Sequence, residues 1–184
     1  MGEAKKRQKQ LREEFTRILD SWAFAPSDSE AQTVTEVQAL PSITVEREPP
    51  ERLEWARMKP RLCHDNCAWY QRNDPTREAK AVVGWLVEPT GNYVLHSVVS
   101  VGREYRCITP MPGEPSRFQF IPDPDIVVER IEADNRYRIT RKGFEVGAGI
   151  RPDPQKTLRH IGIIQERLAS GMDPIKAMDL KGLD

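Results

Sequence analysis

Residues 81–108 constrain the fold more than any other stretch. Three runs rich in β-branched and aromatic residues, Ala81–Val87, Tyr93–Val101 and Glu104–Ile108, follow one another across gaps that hold only turns. Pro89-Thr90-Gly91-Asn92 makes the first turn and Gly102-Arg103 the second. Runs this close pair as an antiparallel meander, because a parallel crossover needs roughly a dozen residues or more. Gly84, inside the first run, marks a close backbone approach or a bulge. Along the second run, alternation puts Val94, His96 and Val98 on one face and Leu95, Ser97 and Val99 on the other. Both faces are otherwise apolar. The His96 imidazole is therefore expected inside, where it needs a hydrogen-bond partner.

Helical patterns precede the meander. Leu53–Met58 reads as a short helix broken by Pro60, and Cys63–Arg72 as a second, closed by Asn73-Asp74-Pro75-Thr76. Cys63, Cys67 and Tyr70 share one face of it. After the meander, Phe118–Ile121 reads as a strand, and Ile126–Ala133 with Arg136–Thr140 as a hairpin across Asp134-Asn135. The expected fold class is α+β: a helix packed on a small antiparallel sheet, flanked by N- and C-terminal helices.

The flanks read differently. In residues 3–22, Leu11, Phe15, Ile18, Leu19 and Trp22 form an amphipathic stripe. Residues 27–54 hold seven acids against two bases, with Pro41, Pro49 and Pro50, so 24–49 is expected to be an acidic linker. Thr33–Val37 and Ile43–Val45 are its candidate strands, one of them at a sheet edge. The charged segment 141–154, with three glycines, reads as a loop. Lys156–Ala169 reads as a helix with Gly171 as its C-cap. Asp173-Pro174 then opens a short last helix over 174–180. The expected organisation is an N-terminal helix (1–23), the linker (24–49), an α+β core (50–145), and a loop with a C-terminal helical hairpin (146–184).

Charge and cysteine count exclude several classes. Lys and Arg number 28 and Asp and Glu 28, so no basic excess exists for bulk nucleic-acid binding. No apolar run reaches the length of a membrane span. Cys63, Cys67 and Cys107 are an odd number, against a secreted disulfide framework. The opening Met1-Gly2-Glu3-Ala4-Lys5-Lys6-Arg7 has no apolar signal core. The expectation is a cytoplasmic protein with reduced thiols, without a nucleic-acid or membrane partner. No motif asks for a cofactor.

Chemistry concentrates in residues 60–110. Cys63 stands at the first turn of its helix, where exposed N–H groups and the helix dipole favour a thiolate. His96 lies on the meander, and the next strand can supply a group that fixes its ring. A helix-borne cysteine, a strand-borne histidine and a polar orienter on the adjacent strand follow the order of papain-like and transglutaminase-like cysteine enzymes.

Cys63-His64-x-Asn66, Gly84-Trp85, His96-Ser97-Val98-Val99, Ile108-Thr109-Pro110 and Phe120-Ile121-Pro122-Asp123 together resemble an uncharacterised bacterial family. In that family a Cys-His-x-Asn helix precedes a Gly-Trp strand, a histidine strand and an Asp-(Val/Ile)-Thr-Pro strand end. The resemblance covers residues 60–123. It implies a Cys–His–Asp arrangement similar to transglutaminase-like hydrolases. This chain has Cys107 where that pattern has its Asp, so the orienter is open among Asp123, Glu104 and Cys107.

The expected activity is cysteine-dependent hydrolysis or acyl transfer on an amide or ester. Cys63 is the nucleophile, His96 the base and acid, and Asp123 completes the expected catalytic set. His64 and Asn66 are candidate oxyanion donors, and with Trp85 they make up the substrate-binding set. The partner is an unknown protein or a small amide or ester. Two other readings use the same residues. In one, the chain is a non-enzymatic interaction protein and the cysteines and histidines are packing. In the other, Cys63, His64, Cys67, His96 and Cys107 supply a zinc site.

Overall fold

The structure is a computed structural model that describes residues 2–111, 115–131 and 136–181. The chain divides into two compact units, Met1–Ala31 with Asp153–Asp184, and Gln32–Pro152.

The first unit contains α1 (Glu3–Trp22), the start of α2 (Asp28–Gln38), α5 (Pro154–Ala169) and α6 (Pro174–Ala177). The stripe of α1 works as its spacing requires: Leu19 is buried against Ile161, Ile164 and Leu168 of α5 and Ala177 of α6, with Phe15 and Trp22 at the margin. Asp153 caps α5 by accepting from the Lys156 amide at 2.8 Å. Gly171 ends that helix at φ +87°. Its N–H bonds to Leu168 O and the Met172 N–H to Arg167 O, the paired bonds of a Schellman ending. Asp173 Oδ1 then accepts from the amides of Ile175 and Lys176 to start α6.

Residues 24–49 are more ordered than a linker. Thr33–Val37 lies within α2, not a strand. Ser27 Oγ accepts from the Glu30 amide at 3.1 Å, and Asp28 and Glu30 sit in the positive first turn. The Ser27-x-x-Glu30 spacing is a helix-start signal that outweighs the local β propensity. Val34 and Val37 then face the core of the second unit.

The second unit is built on β1 (Ile43–Arg47), α3 (Pro50–Trp55), α4 (Cys63–Asn73), β2 (Lys80–Val87), β3 (Tyr93–Val101), β4 (Glu104–Cys107) and β5 (Arg117–Pro122). The antiparallel meander β2–β3–β4 forms in register, with Gly84 opposite His96 and Val99 opposite Arg106. The sheet is not open, however. Strand β1 lies between β4, to which it is parallel, and β5, to which it is antiparallel. Strand β5 returns to β2, with Gly84 opposite Pro122 and Leu86 opposite Phe120. Five strands thus close in the order β2-β5-β1-β4-β3 and back to β2, a barrel-like ring. β1 is an interior strand of that ring rather than an edge.

Gly84 permits the closure. A Cβ there would stand 2.2 Å from Ile121 O and 2.8 Å from the Phe120 ring. Bare backbone is what lets β5 cross β2 so closely. Val45, Leu86, Val98, Cys107, Phe118 and Phe120 fill the ring. Each such side chain, fully buried, contributes about 1.5–3 kcal/mol. Outside it, Trp85, Leu95 and Ile121 pack on Val34 and Val37 of α2. Val99 and Ile108 pack on Cys67 of α4, with Leu53 and Met58.

A second sheet holds β6 (Ile126–Ile131), β7 (Arg136–Arg141) and β8 (Phe144–Glu145), and β9 (Gly149–Ile150) extends the main sheet beside β3. The expected hairpin is present as β6 and β7, and its turn at Asp134-Asn135 lies outside the described residues. Part of the expected loop 141–154 forms β8 and β9 instead, because backbone pairing to β7 and β3 orders it.

Candidate functional site

Strand β3 separates two clusters. Its alternation sends Ser97 toward α4 and His96 into the ring.

On the α4 side, Cys63 heads the helix and is half-buried. His64 Nδ1 lies 2.7 Å from Ser97 Oγ, and its ring packs at 5.4 Å on Tyr137. The Tyr137 hydroxyl donates to Asp65 Oδ1 at 2.5 Å, and Arg130 approaches the same carboxylate at 3.8 Å. Burial and then this hydrogen bond push the Tyr137 phenol up to about 12. These groups, with Val83 and Ser97, line a cavity of about 390 Å³. Burial holds His64 below its ordinary value, against the pull of the Asp65 charge.

Inside the ring, His96 Nε2 lies 3.3 Å from Cys107 Sγ, and Phe118 meets the imidazole edge-on at 5.9 Å. Cys107 also faces the Thr109 carbonyl at 3.7 Å and Arg47 Nη1 at 3.4 Å. Burial, then the Arg47 charge and then His64, lower His96 to about 3. His96 is therefore a neutral imidazole at physiological pH.

The thiol of Cys63 differs from what the helix start alone suggests. Backbone hydrogen bonds from Ser97, His64 and Cys63 itself do favour its thiolate, but burial outweighs them and raises its pKa. Cys67 and Cys107 are raised for the same leading reason. Cys63 thus rests as a thiol on the α4 side of β3 and His96 as a neutral imidazole within the ring, and no hydrogen bond joins the two among the described residues.

The other predicted residues fall in distinct places. Asp123 is not beside His96. Its Oδ2 accepts from Trp85 Nε1 at 2.9 Å and from Arg141 Nε at 2.7 Å, and its Oδ1 from the Asp125 amide at 3.1 Å. The place beside the imidazole belongs to Cys107, because β4 runs next to β3 while Asp123 follows β5. Glu104 pairs with Arg106 at 2.7 Å. Trp85 is 0% exposed and forms core rather than a substrate surface.

Asn66 is spent as a clamp. It accepts from the Lys59 amide at 3.2 Å and donates to Lys59 O at 2.8 Å and Thr109 Oγ1 at 3.2 Å. Both amide hydrogens are thereby used, and none is left for an oxyanion. Of the substrate-binding set, only His64 lines a cavity near Cys63. Among the described residues, no three His, Cys, Asp or Glu side chains gather closely enough to hold a metal ion.

Sequence reasoning missed Arg47, Tyr137 and the Ser97 hydroxyl. Ser97 was legible, since alternation already put it on the face opposite His96. Arg47 and Tyr137 arrive from distant strands, and nothing local marks them. No family model, curated protein or solved structure matches the chain. No helix among the described residues is long and apolar enough to cross a membrane.

Proposed function

We propose that the chain is a cysteine-dependent hydrolase or acyl transferase acting on an amide or ester, with Cys63 as nucleophile and His96 as base. One observation carries the reading. The half-buried Cys63 thiol starts a helix packed against the histidine strand, where it meets the backbone of Ser97, the residue that follows His96. That combination of helix start, imidazole and third group on the next strand favours the papain-like and transglutaminase-like order. A neutral imidazole takes the thiol proton as sulfur attacks the carbonyl carbon. It returns that proton to the leaving amine or alcohol, and water then releases the thioester. The transition-state oxyanion would rest on backbone N–H groups at the α4 start. Three free thiols support a reducing, cytoplasmic setting, and the lack of a basic excess favours a protein or a small amide or ester over nucleic acid.

The test is acylation. Purified protein is incubated with activated esters and amides, and the adduct is mapped by mass spectrometry. An acyl group on Cys63, lost in Cys63→Ala and slowed at least about 100-fold in His96→Gln, is the expected result. An unmodified Cys63 under conditions that acylate a free thiol ends the proposal.

The second reading, an interaction protein, is favoured by the raised pKa of all three thiols and by apolar side chains left in solvent, notably Trp55 at 85% exposed. It predicts that Cys63→Ala leaves partner capture intact.

A further inference from the structure

A second cavity, of about 610 Å³, opens where β1 leaves the ring. Its walls are apolar: Pro50, Leu53 and Met58 on one side, Pro110 and Met111 on the other. Among the described residues, its cationic lining group, Arg47, has no carboxylate partner.

Arg47 is badly matched. Its Nε donates to Pro115 O at 2.8 Å, an ordinary bond. Among the described residues, Nη1 meets two sulfurs, Met111 Sδ at 3.1 Å and Cys107 Sγ at 3.4 Å, both weak acceptors. The guanidinium lies 4.5 Å over the Phe118 ring. Nη2 is buried and has no hydrogen-bond partner among the described residues. A buried guanidinium normally meets a carboxylate through two parallel bonds. Here the sulfurs, the ring and an orphaned nitrogen stand where that carboxylate belongs.

The nearby acids do not fill the role. Glu48 is occupied by Arg52 at 3.0 Å and Arg106 at 2.8 Å, two cations for one carboxylate. Despite its burial, those contacts hold its pKa below the ordinary value. Glu54 is exposed at the rim on α3.

We infer that this cavity binds a small organic carboxylate with an apolar body, the carboxylate on Arg47 and the body along Leu53, Met58 and Met111. A volume of this size suits a compact ligand, and apolar walls with one placed polar group are the usual make-up of such a site. The inference stands apart from the catalytic reading, because it needs neither Cys63 nor turnover.

The experiment uses the full chain carrying Cys63→Ala, so that hydrolysis plays no part. Phenylbutyrate and straight-chain acids from butyrate to decanoate are titrated by calorimetry against the matching neutral amides. Methionine methyl NMR signals are followed in parallel. The expected result is that an acid binds at least about tenfold tighter than its amide and moves the Met58 and Met111 methyls. Arg47→Gln should bring the acid down to the amide, with Arg47→Lys between them, since a lysine lacks the fork. Should Arg47→Gln fail to fold, Glu54→Gln decides at the rim: removing that negative charge should tighten the acid about twofold and leave the amide unmoved. The inference is overturned by equal binding of acid and amide, by a folded Arg47→Gln that binds the acid unchanged, by no binding across the series, or by shifts confined to other methionines.

Discussion

His64 is half-buried and His96 buried, and they sit on opposite sides of the same strand. His64 reaches β3 from α4 and meets Ser97 at 2.7 Å, beside a tyrosine, a carboxylate and an open cavity. His96 is part of β3 and meets a thiol, an aromatic edge and a nearby guanidinium. The outer cluster offers a neutral imidazole polar partners and a place for a ligand. The inner cluster surrounds its imidazole with groups that penalise a positive charge. The difference shows that a strand's alternation assigns each histidine its environment, and that environment decides what its proton can do.

The support beneath this comparison should fail first. Asp123→Ala removes a buried carboxylate that holds Arg141 and Trp85, leaving the Arg141 charge inside with less compensation. A loss of about 4 kcal/mol in urea unfolding is expected. If Asp123→Asn instead retained stability but lost acylation of Cys63, Asp123 would return as the catalytic third residue.

Closing the ring comes next. Gly84→Ala places a methyl against Ile121 O, which is backbone and cannot swing aside. The expected cost is about 3 kcal/mol by thermal or urea melting. A neutral Gly84→Ala would mean that β2 and β5 are not so tightly crossed, and that the inner cluster is looser than described.

A pH titration of stability separates the two histidines. The folded pKa of His96, about 3, lies below its unfolded value near 6.5. The unfolded chain therefore binds the proton first. The stabilisation is fully present above pH 6.5 and is lost as pH falls toward 3. Between pH 6.5 and 4.5, above the window in which lowered carboxylates such as Glu36 titrate, the loss from His96 is about 2 kcal/mol. His64, also lowered, contributes in the same direction. His96→Gln should flatten most of this slope and His64→Gln a smaller part. The reverse order would exchange the roles of the two clusters.

The smallest effect is kinetic. With its pKa raised, Cys63 should react with iodoacetamide more slowly at pH 7 than a free thiol and speed up as pH passes 9. Cys67 and Cys107, both buried, should stay unlabelled until the protein unfolds. Fast labelling of Cys63 at neutral pH would show that its helix-start donors outweigh burial after all.

Local pattern made much of the fold legible. The meander, the α4 helix, the β6–β7 hairpin and the caps at Gly171 and Asp173 follow from turn chemistry, period and capping, which act within a few residues. The same alternation correctly divided Val94, His96 and Val98 from Leu95, Ser97 and Val99. Thr33–Val37 was misread because a β-branched run was weighed without the Ser27-x-x-Glu30 start before it. The loop 141–154 hid two strands whose only support is their pairing partners.

The sequence by itself determined which side chains β3 sends to each face, where α4 begins and that a glycine must sit mid-strand at position 84. Those depend on neighbours along the chain. Only the tertiary structure decided that β1 enters between β4 and β5 and closes the ring. That closure brought Arg47 to Cys107, a pair 60 residues apart in sequence. Burial, which then set the thiols high and the imidazoles low, comes from the closed ring around His96 and Cys107 and from α4 packed on its outside, and belongs to no single segment.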